Sequence, residues 1–176
     1  MWIGTDAGLV RYDGYQVKSY KLGITKSLFI NKIYEDHSGK LWIHSDNKLF
    51  QYNRPADSFI LKKLIPGSIL SIQDDNRGNI WLGCQNDIYC LNSNKGIDSI
   101  LHFSTKGTGK NKIDASTVNS VFADIKGRIW MGTDSGLHYY DSISGSLKKY
   151  IFLNHDLDSK NVVGIWSEAS NPDIYG

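Results

Sequence analysis

The fold of this chain is decided by the stretch Trp130-Met-Gly-Thr-Asp-Ser-Gly-Leu-His-Tyr-Tyr-Asp141, which recurs three more times along the sequence. The other copies begin at Trp2, Trp42 and Trp81, and all four align without gaps. Successive tryptophans lie 40, 39 and 49 residues apart. A repeat of roughly forty residues is typical of a protein built from similar supersecondary units, each of which stacks on its neighbours.

A second motif precedes each of the three later tryptophans and consists of an alternating apolar strand, an acidic corner and a glycine. Its copies are Ile33-Tyr-Glu-Asp-His-Ser-Gly39, Ile72-Gln-Asp-Asp-Asn-Arg-Gly78 and Val121-Phe-Ala-Asp-Ile-Lys-Gly127. The Asp-x-x-Gly spacing predicts a tight hairpin, because aspartate hydrogen-bonds its own backbone in a turn and glycine accepts a positive φ. The repeat positions that we expect to be structural are Trp2, Trp42, Trp81, Trp130, Gly39, Gly78 and Gly127.

A further hairpin is predicted inside the tryptophan motif, at Thr5-Asp-Ala-Gly8 and at Thr133-Asp-Ser-Gly136. The two middle copies carry Lys48 and Asp87 in place of the glycine. Either these residues adopt the strained conformation or the turn differs, and aspartate tolerates a positive φ better than lysine does.

Each full unit therefore contains four short strands, and four antiparallel strands at this period describe a propeller blade. The consecutive apolar residues at 41–43 agree with a strand that is covered on both faces. We therefore predict an all-β chain: a β-propeller segment of about four blades, each a four-stranded antiparallel sheet. In the second unit the strands are expected at Leu28–Glu35, Lys40–Ser45, Lys48–Arg54 and Ser58–Lys63.

The whole chain, 1–176, is expected to form a single propeller segment. Its last repeat starts at Val162, with Asn171 where glycine is expected, and we predict an opening strand near Val162–Glu168. That strand could close a ring by completing the first blade, which lacks one, or two arcs could pair head to tail. Because an open arc exposes apolar faces, we expect self-association through the open blade ends. The units are expected at about 1–23, 24–65, 66–104, 115–153 and, in part, 160–176, with an insertion at 104–114.

The combined motif, an acidic corner followed by Gly-x-Leu/Ile-Trp-Ile-Gly-Thr-x-x-Gly-Leu-x-x-Tyr-Asp, resembles the two-component regulator propeller repeat. The match is best at Met1 to Asp13 and at Asp124 to Asp141. The second copy departs from the pattern at His44 and the third at Cys84. This repeat is found in the sensor region of hybrid two-component system proteins.

The resemblance implies a non-enzymatic, periplasmic or otherwise extracytoplasmic input propeller of a sensor histidine kinase. It implies oligosaccharide or polysaccharide fragments as ligands, without any cofactor. Two alternatives remain: a protein-interaction scaffold and, third, a propeller lyase or glycosidase. The kinase modules themselves are not part of this sequence. Because strand-like sequence begins at Trp2, we expect no signal peptide in this chain and interpret the chain as a piece of a longer protein.

Composition excludes several other classes of protein. A net charge of +2, with basic residues spread along the chain, predicts no nucleic-acid partner. No apolar run approaches the roughly 20 residues of a membrane span.

No catalytic or metal site is predicted. The five histidines show no metal-binding spacing, a Gly-x-Ser-x-Gly elbow is absent, and the acidic corners lack the spaced ligands of a calcium loop. Cys84 and Cys90 flank one predicted hairpin. They are either two reduced thiols or a disulfide, and the sequence does not establish whether their Cβ atoms approach closely enough for the bond.

The turns of the second hairpins are the candidate ligand-binding positions, because loops on a rigid scaffold commonly carry binding. Their amides and carboxylates could hydrogen-bond sugar hydroxyls, and a neighbouring tyrosine, Tyr139 or Tyr140, could offer a stacking face. The alternative is ordinary solvated turn chemistry. The candidates are Asp6, Asp46, Asn47, Gln85, Asn86, Asp134 and Tyr139.

Overall fold

The computed structural model describes residues 1–22, 29–75, 77–92, 99–153 and 160–166. These residues form fifteen β-strands and one turn of 3₁₀ helix, Gly109–Asn111. Two compact units are distinguished, Met1–Ile69 and Leu70–Gly176. Within the described part of the chain, no helix is long and apolar enough to span a membrane.

The first unit contains two sheets in which each strand pairs with the next along the chain. One sheet has three strands and the other has four, all antiparallel. The three-stranded sheet consists of β1 (Trp2–Thr5), β2 (Gly8–Tyr12) and β3 (Val17–Tyr20). The four-stranded sheet consists of β4 (Lys32–Glu35), β5 (Leu41–Ser45), β6 (Lys48–Asn53) and β7 (Ser58–Leu64).

The second unit contains two four-stranded sheets with the same sequential order. Together the four sheets confirm the prediction of an all-β propeller segment with four-stranded blades, the first of which has three strands here. One sheet consists of β8 (Ile69–Asp74), β9 (Asn79–Cys84), β10 (Asp87–Asn92) and β11 (Ser99–Ser104). The other consists of β12 (Val118–Ala123), β13 (Ile129–Thr133), β14 (Gly136–Asp141) and β15 (Ser146–Lys149).

Strand β4 begins four residues later than predicted. The prediction for Leu28 lies outside the described residues, whereas 29–31 are described and contain no strand. The chain there makes a different connection, because the Ile30 N–H donates to the carbonyl of Thr5 (3.0 Å) in the neighbouring sheet. The start of the blade is thus tied to the preceding blade before its own strand begins.

The predicted opening strand near Val162–Glu168 does not occur as a strand in its described part, 162–166. A single backbone bond runs from the Val162 N–H to the carbonyl of Thr133 (2.8 Å), the same kind of link that Ile30 makes to Thr5. The remainder of that prediction, at 167–168, lies outside the described residues.

The core of each unit is formed by side chains from both of its sheets. Leu9 from one sheet and Ile43 and Phe50 from the other belong to one cluster in the first unit. Trp81, Phe103 and Met131 belong to the corresponding cluster in the second unit. Each side chain buried in this way stabilises the fold by about 1.5–3 kcal/mol, which explains why blades stack.

The glycine two residues after the tryptophan is required by close packing. A Cβ atom at Gly132 would lie 2.5 Å from Ser120 Oγ and 2.8 Å from Val162 Cγ1. At Gly83 the corresponding distances are 2.4 Å to Ser71 Oγ and 2.9 Å to Val118 Cγ1. The Trp-x-Gly pattern therefore contains glycine because the chain that enters the next blade approaches β9 and β13 too closely for a side chain.

Candidate functional site

The acidic corners act as hydrogen-bonding centres of the turns that precede the tryptophans. Asp36 Oδ1 accepts the backbone N–H groups of Ser38 (2.9 Å) and Lys40 (3.0 Å), while Oδ2 accepts the indole N–H of Trp42 at 2.7 Å. Asp75 and Asp124 accept the equivalent donors, with indole distances of 3.2 Å from Trp81 and 2.9 Å from Trp130. The oxygens of these carboxylates therefore accept hydrogen bonds from residues of their own repeat.

The electrostatics of two corners follow from these bonds. Burial alone would raise the pKa of Asp36, but the hydrogen bonds from Trp42, Ser38 and Lys40 outweigh burial, so the pKa is lowered. Burial would likewise raise the pKa of Asp124, but hydrogen bonds from donors including Trp130 and Arg128 lower it. Both carboxylates are thus held ionised inside the fold. Within the described residues, no group of three or more His, Cys, Asp or Glu side chains is placed to hold a metal ion.

The tryptophans are core residues rather than open stacking surfaces in three of the repeats. Trp42 is fully buried, and Trp81 and Trp130 are buried to a similar degree. Trp2 is half-buried, and its ring packs against Tyr20 and Tyr52 with centroids 5.0 Å away from each.

The predicted ligand residues of the first unit lie in two turns. Asp6 lies in the turn between β1 and β2, and Asp46 and Asn47 lie in the turn between β5 and β6. The Asp46 backbone carbonyl accepts the N–H of Ile69 (2.9 Å), and its side chain accepts the hydroxyl of Ser68 (2.8 Å). The Asn47 carbonyl accepts a backbone N–H at 2.9 Å. Asp46 and Asn47 therefore connect one strand hairpin to the chain that follows.

The predicted ligand residues of the second unit are also tied to the chain that enters the next blade. The Asn86 N–H donates to the carbonyl of Ser116 (2.9 Å), and Gln85 forms an isolated bridge with Thr117. Asp134 accepts the Ser116 N–H on its carboxylate (3.0 Å). The structure thus brings Gln85, Asn86 and Asp134 to one stretch, 116–117, and leaves the side chain of Gln85 exposed.

Tyr139 is not brought to these turns. It lies in the middle of β14, paired with Trp130, and the two rings are 5.7 Å apart. The ring instead joins an aromatic group with Tyr150 on the sheet surface.

The glycine-free turns of the middle repeats differ from the others, and this resolves the alternative that the sequence left open. A positive φ falls on Asp46 (52°) and Asn86 (67°), whereas Lys48 and Asp87 avoid it. Asparagine and aspartate tolerate this conformation better than other residues with a side chain. The strain thus moves to a neighbouring residue of a suitable type.

Both cysteines are free and buried. Cys90 pairs with Trp81 across the hairpin, whereas Cys84 lies at the end of β9 beside the turn. Burial raises the pKa of the Cys84 thiol to about 12, and burial also raises the pKa of Cys90. Neither thiol has the lowered pKa of a reactive cysteine.

Two polar features of the first unit were not predicted as sites, although the sequence marks one of them as a departure from the repeat pattern. One is His44, which replaces the repeat glycine; its ring is buried, and neither nitrogen has a hydrogen-bond partner in the described structure. The other is Asp57, which binds Arg11 (3.1 Å), Lys18 (2.5 Å) and the hydroxyl of Tyr20 (2.7 Å). Asp57 adopts a positive φ of 44°, and alignment of the repeats places it at the position of Gly145.

Antiparallel sheets of sequential order, three of which contain an Asp–Trp corner between their first two strands, define the chain as a β-propeller segment. Residues 63–86 match the family model of the two component regulator propeller. The chain thus carries this repeat, which confirms the resemblance drawn from its motifs. No curated protein matches the chain.

Solved structures of similar fold include the extracellular domain of BT4673 from B. thetaiotaomicron, described as a one component system in one structure and as a hybrid two component system in another. The first shares 26% identity with a TM-score of 0.63 over 86% of this chain. The second shares 19% identity with a TM-score of 0.68 over 92% of this chain. This chain spans 20% and 22% of those two chains, or about a fifth of their length.

A virginiamycin B lyase from Staphylococcus aureus is also similar, with 14% identity and a TM-score of 0.63. The match covers 84% of this chain and 50% of the lyase. Identity at that level shows the common propeller fold alone.

Proposed function

We propose that this chain is part of the ligand-sensing propeller region of an extracellular sensor in a hybrid two-component protein, and that it takes part in sensing carbohydrate fragments. The observation that carries the proposal is the coincidence of the two component regulator repeat at 63–86 with fold matches to the extracellular domain of BT4673. That domain is described as a one component system in the structure at 26% identity and as a hybrid two component system in the structure at 19% identity. The chain itself has no catalytic role in this proposal.

Signalling would follow from differential binding. A ligand that binds one arrangement of blades better than another shifts the equilibrium by the difference in its binding free energies. Tight packing at Gly83 and Gly132 makes neighbouring blades move together, since packed cores change between discrete arrangements rather than deform continuously. A bound saccharide would thus shift the conformational equilibrium of the whole input region.

The test is a panel of plant and host oligosaccharides measured against the purified chain by calorimetry, followed by a transcriptional reporter driven by the natural full-length protein. We expect at least one saccharide to bind and to activate the reporter. Turnover of a bound oligosaccharide would favour the lyase or glycosidase alternative. Absence of both binding and activation across the panel would contradict the proposed ligand class.

A further inference from the structure

The second unit contains a cleft that is lined by three residues singled out in the sequence: the repeat positions Trp81 and Gly127 and the candidate stacking residue Tyr140. Its volume is about 280 Å³, near the lower end of the range for small-molecule sites. It opens between the hairpin corner that contains Asp75 and Arg77 and the corner at 126–129, and Tyr140 and Ser142 complete its wall. Both corners belong to the same unit.

The charge of this cleft is predominantly positive. Arg77, Lys126 and Arg128 line it, and Arg77 and Lys126 form no ion pair with any residue that the structure describes. Arg128 binds Asp124 through Nε at 2.6 Å, and its guanidinium carbon lies 5.1 Å from the ring centre of Trp130, which holds the group in place.

The one carboxylate that lines the cleft forms its hydrogen bonds within its own turn and not with these cationic groups. Asp75 is buried, and its two oxygens accept the backbone N–H groups of Arg77 and Asn79, the Asn79 side-chain amide and the indole of Trp81. All of its acceptor capacity is directed into its own turn. Arg77 and Lys126 therefore line the cleft without a counter-ion from the described chain, whereas Arg128 is paired with Asp124.

A comparison with the first unit shows which group is missing. Tyr52 occupies the repeat position of Tyr140, and its hydroxyl donates to the carboxylate of Asp57. In the second unit that aspartate is replaced by Gly145, and the hydroxyl of Tyr140 has no hydrogen-bond partner within the described residues. The Tyr140 ring is held by Trp81, with centroids 5.1 Å apart.

The first unit also shows how this chain binds a carboxylate. Asp57 is bound by one arginine, one lysine and two tyrosine hydroxyls. The cleft of the second unit is lined by two arginines, one lysine and one tyrosine, and one of these arginines, Arg128, already binds Asp124 through Nε. An external carboxylate has the matching charge, because guanidinium and phenol donors form short, charge-assisted bonds with it.

We propose that the cleft lined by Arg77, Lys126, Arg128 and Tyr140 binds the carboxylate of an acidic saccharide, a uronate residue. The sugar assignment rests on the proposed function, whereas the carboxylate assignment rests on the cleft alone. The cleft would admit one charged sugar unit at a time, and the rest of an oligosaccharide would extend into solvent.

The test is a ¹⁵N chemical-shift titration of the whole chain with a galacturonate oligosaccharide, its neutral galactose counterpart and inorganic sulfate, at constant ionic strength. We expect the galacturonate to shift amides at 75–79 and 124–130 and to bind at least about tenfold more tightly than the other two ligands. Equal binding of the neutral sugar overturns the carboxylate site. Equal binding of sulfate overturns the saccharide assignment.

Variants make the test specific. Arg77→Ser and Lys126→Ser place at these corners the residue that the chain itself carries at the equivalent Ser38, so each corner keeps a turn already compatible with this fold. Each should weaken galacturonate binding at least about tenfold, which corresponds to about 1.4 kcal/mol, since hydrogen bonds to charged groups are among the stronger ones. Lys62→Ser removes an exposed lysine from β7 in the first unit and should leave affinity unchanged.

Failure of this inference is distinguishable from failure of the proposed function. If saccharides activate the full-length reporter but the Ser variants bind galacturonate as the natural chain does, the sensor role stands and the cleft assignment is wrong. If galacturonate shifts the cleft amides but no saccharide activates the reporter, the cleft assignment stands and the sensor role is wrong. Unchanged melting temperatures of the Ser variants exclude unfolding as the cause of lost binding.

Discussion

The indole nitrogen of Trp42 donates a hydrogen bond of 2.7 Å to Oδ2 of Asp36, six residues earlier in the chain. The same bond joins Trp81 to Asp75 and Trp130 to Asp124. It links the hairpin corner to the buried strand at the core of the blade.

Removal of the corner carboxylate should destabilise the first unit. Asp36→Ala leaves the buried indole N–H of Trp42 and two backbone N–H groups without their acceptor, each of which costs about 1–3 kcal/mol if it stays unsatisfied. We expect a loss of about 3 kcal/mol in the free energy of unfolding, measured by urea denaturation. Asp13→Ala, at an exposed turn, is the control and should cost about 1 kcal/mol or less. An equal loss in both variants would contradict the role of the corner.

The stability of the first unit should fall between pH 6.5 and pH 4 because of His44. Burial, and to a smaller extent Lys32, lowers the pKa of His44 to about 4. The unfolded chain binds a proton near the ordinary pKa of about 6.5, whereas the folded chain resists it, so acid favours unfolding in this window by up to about 3 kcal/mol.

The matched variant is His44→Leu, which fills a similar volume and cannot titrate. Urea midpoints at pH 7 and pH 4.5 should differ less for this variant than for the natural chain. The carboxylates of Asp36 and Asp124, whose pKa values are lowered, affect stability in a separate pH range. Their contribution to the free energy of unfolding is present above about pH 4 and is lost as the pH falls through the pKa values of the folded state. An identical pH response in both proteins would show that His44 is protonated without cost.

A methyl group at the repeat glycine should be poorly tolerated. In Gly83→Ala the new Cβ would lie 2.4 Å from Ser71 Oγ and 3.0 Å from the Val118 carbonyl oxygen, and the latter is backbone that cannot rotate away. Overpacking of this kind costs about 1–3 kcal/mol. Gly14→Ala is a poor control because its φ of 107° is itself strained, so Ser142→Ala, at an exposed loop position, serves better. Differential scanning calorimetry should show a lower melting temperature for Gly83→Ala alone.

The two thiols should be inert in the folded chain. Cys84 and Cys90 are fully buried, and burial raises the pKa of both, so the reactive thiolate is scarce at neutral pH. With Ellman's reagent at pH 8 we expect no reaction within minutes in buffer and two thiols per chain in concentrated urea. Rapid reaction in buffer would mean that the sheet of β8–β11 opens readily.

The sequence predicted the blades because the interactions that form them are local. The hairpin corners join residues two, four and six positions apart, and the strands of a blade pair with their immediate neighbours along the chain. A recurring Asp-x-x-Gly-x-x-Trp spacing is therefore sufficient to predict both the turn and the strand that follows. Where the glycine was missing, at Lys48 and Asp87, the sequence left two outcomes open, because the choice depends on which neighbour can adopt a positive φ.

The polar sites were decided only by the tertiary structure. Asp57 binds Arg11 and Lys18, which lie 46 and 39 residues away along the chain, and no spacing within one repeat indicates that contact. The cleft of the second unit likewise depends on two corners that stacking brings together, 75–77 and 126–129. The fold of a repeat is determined by hydrogen bonds among its own residues, so the sequence of that repeat predicts it. The charge of a cleft depends on side chains from two separate repeats, so only the tertiary structure shows it.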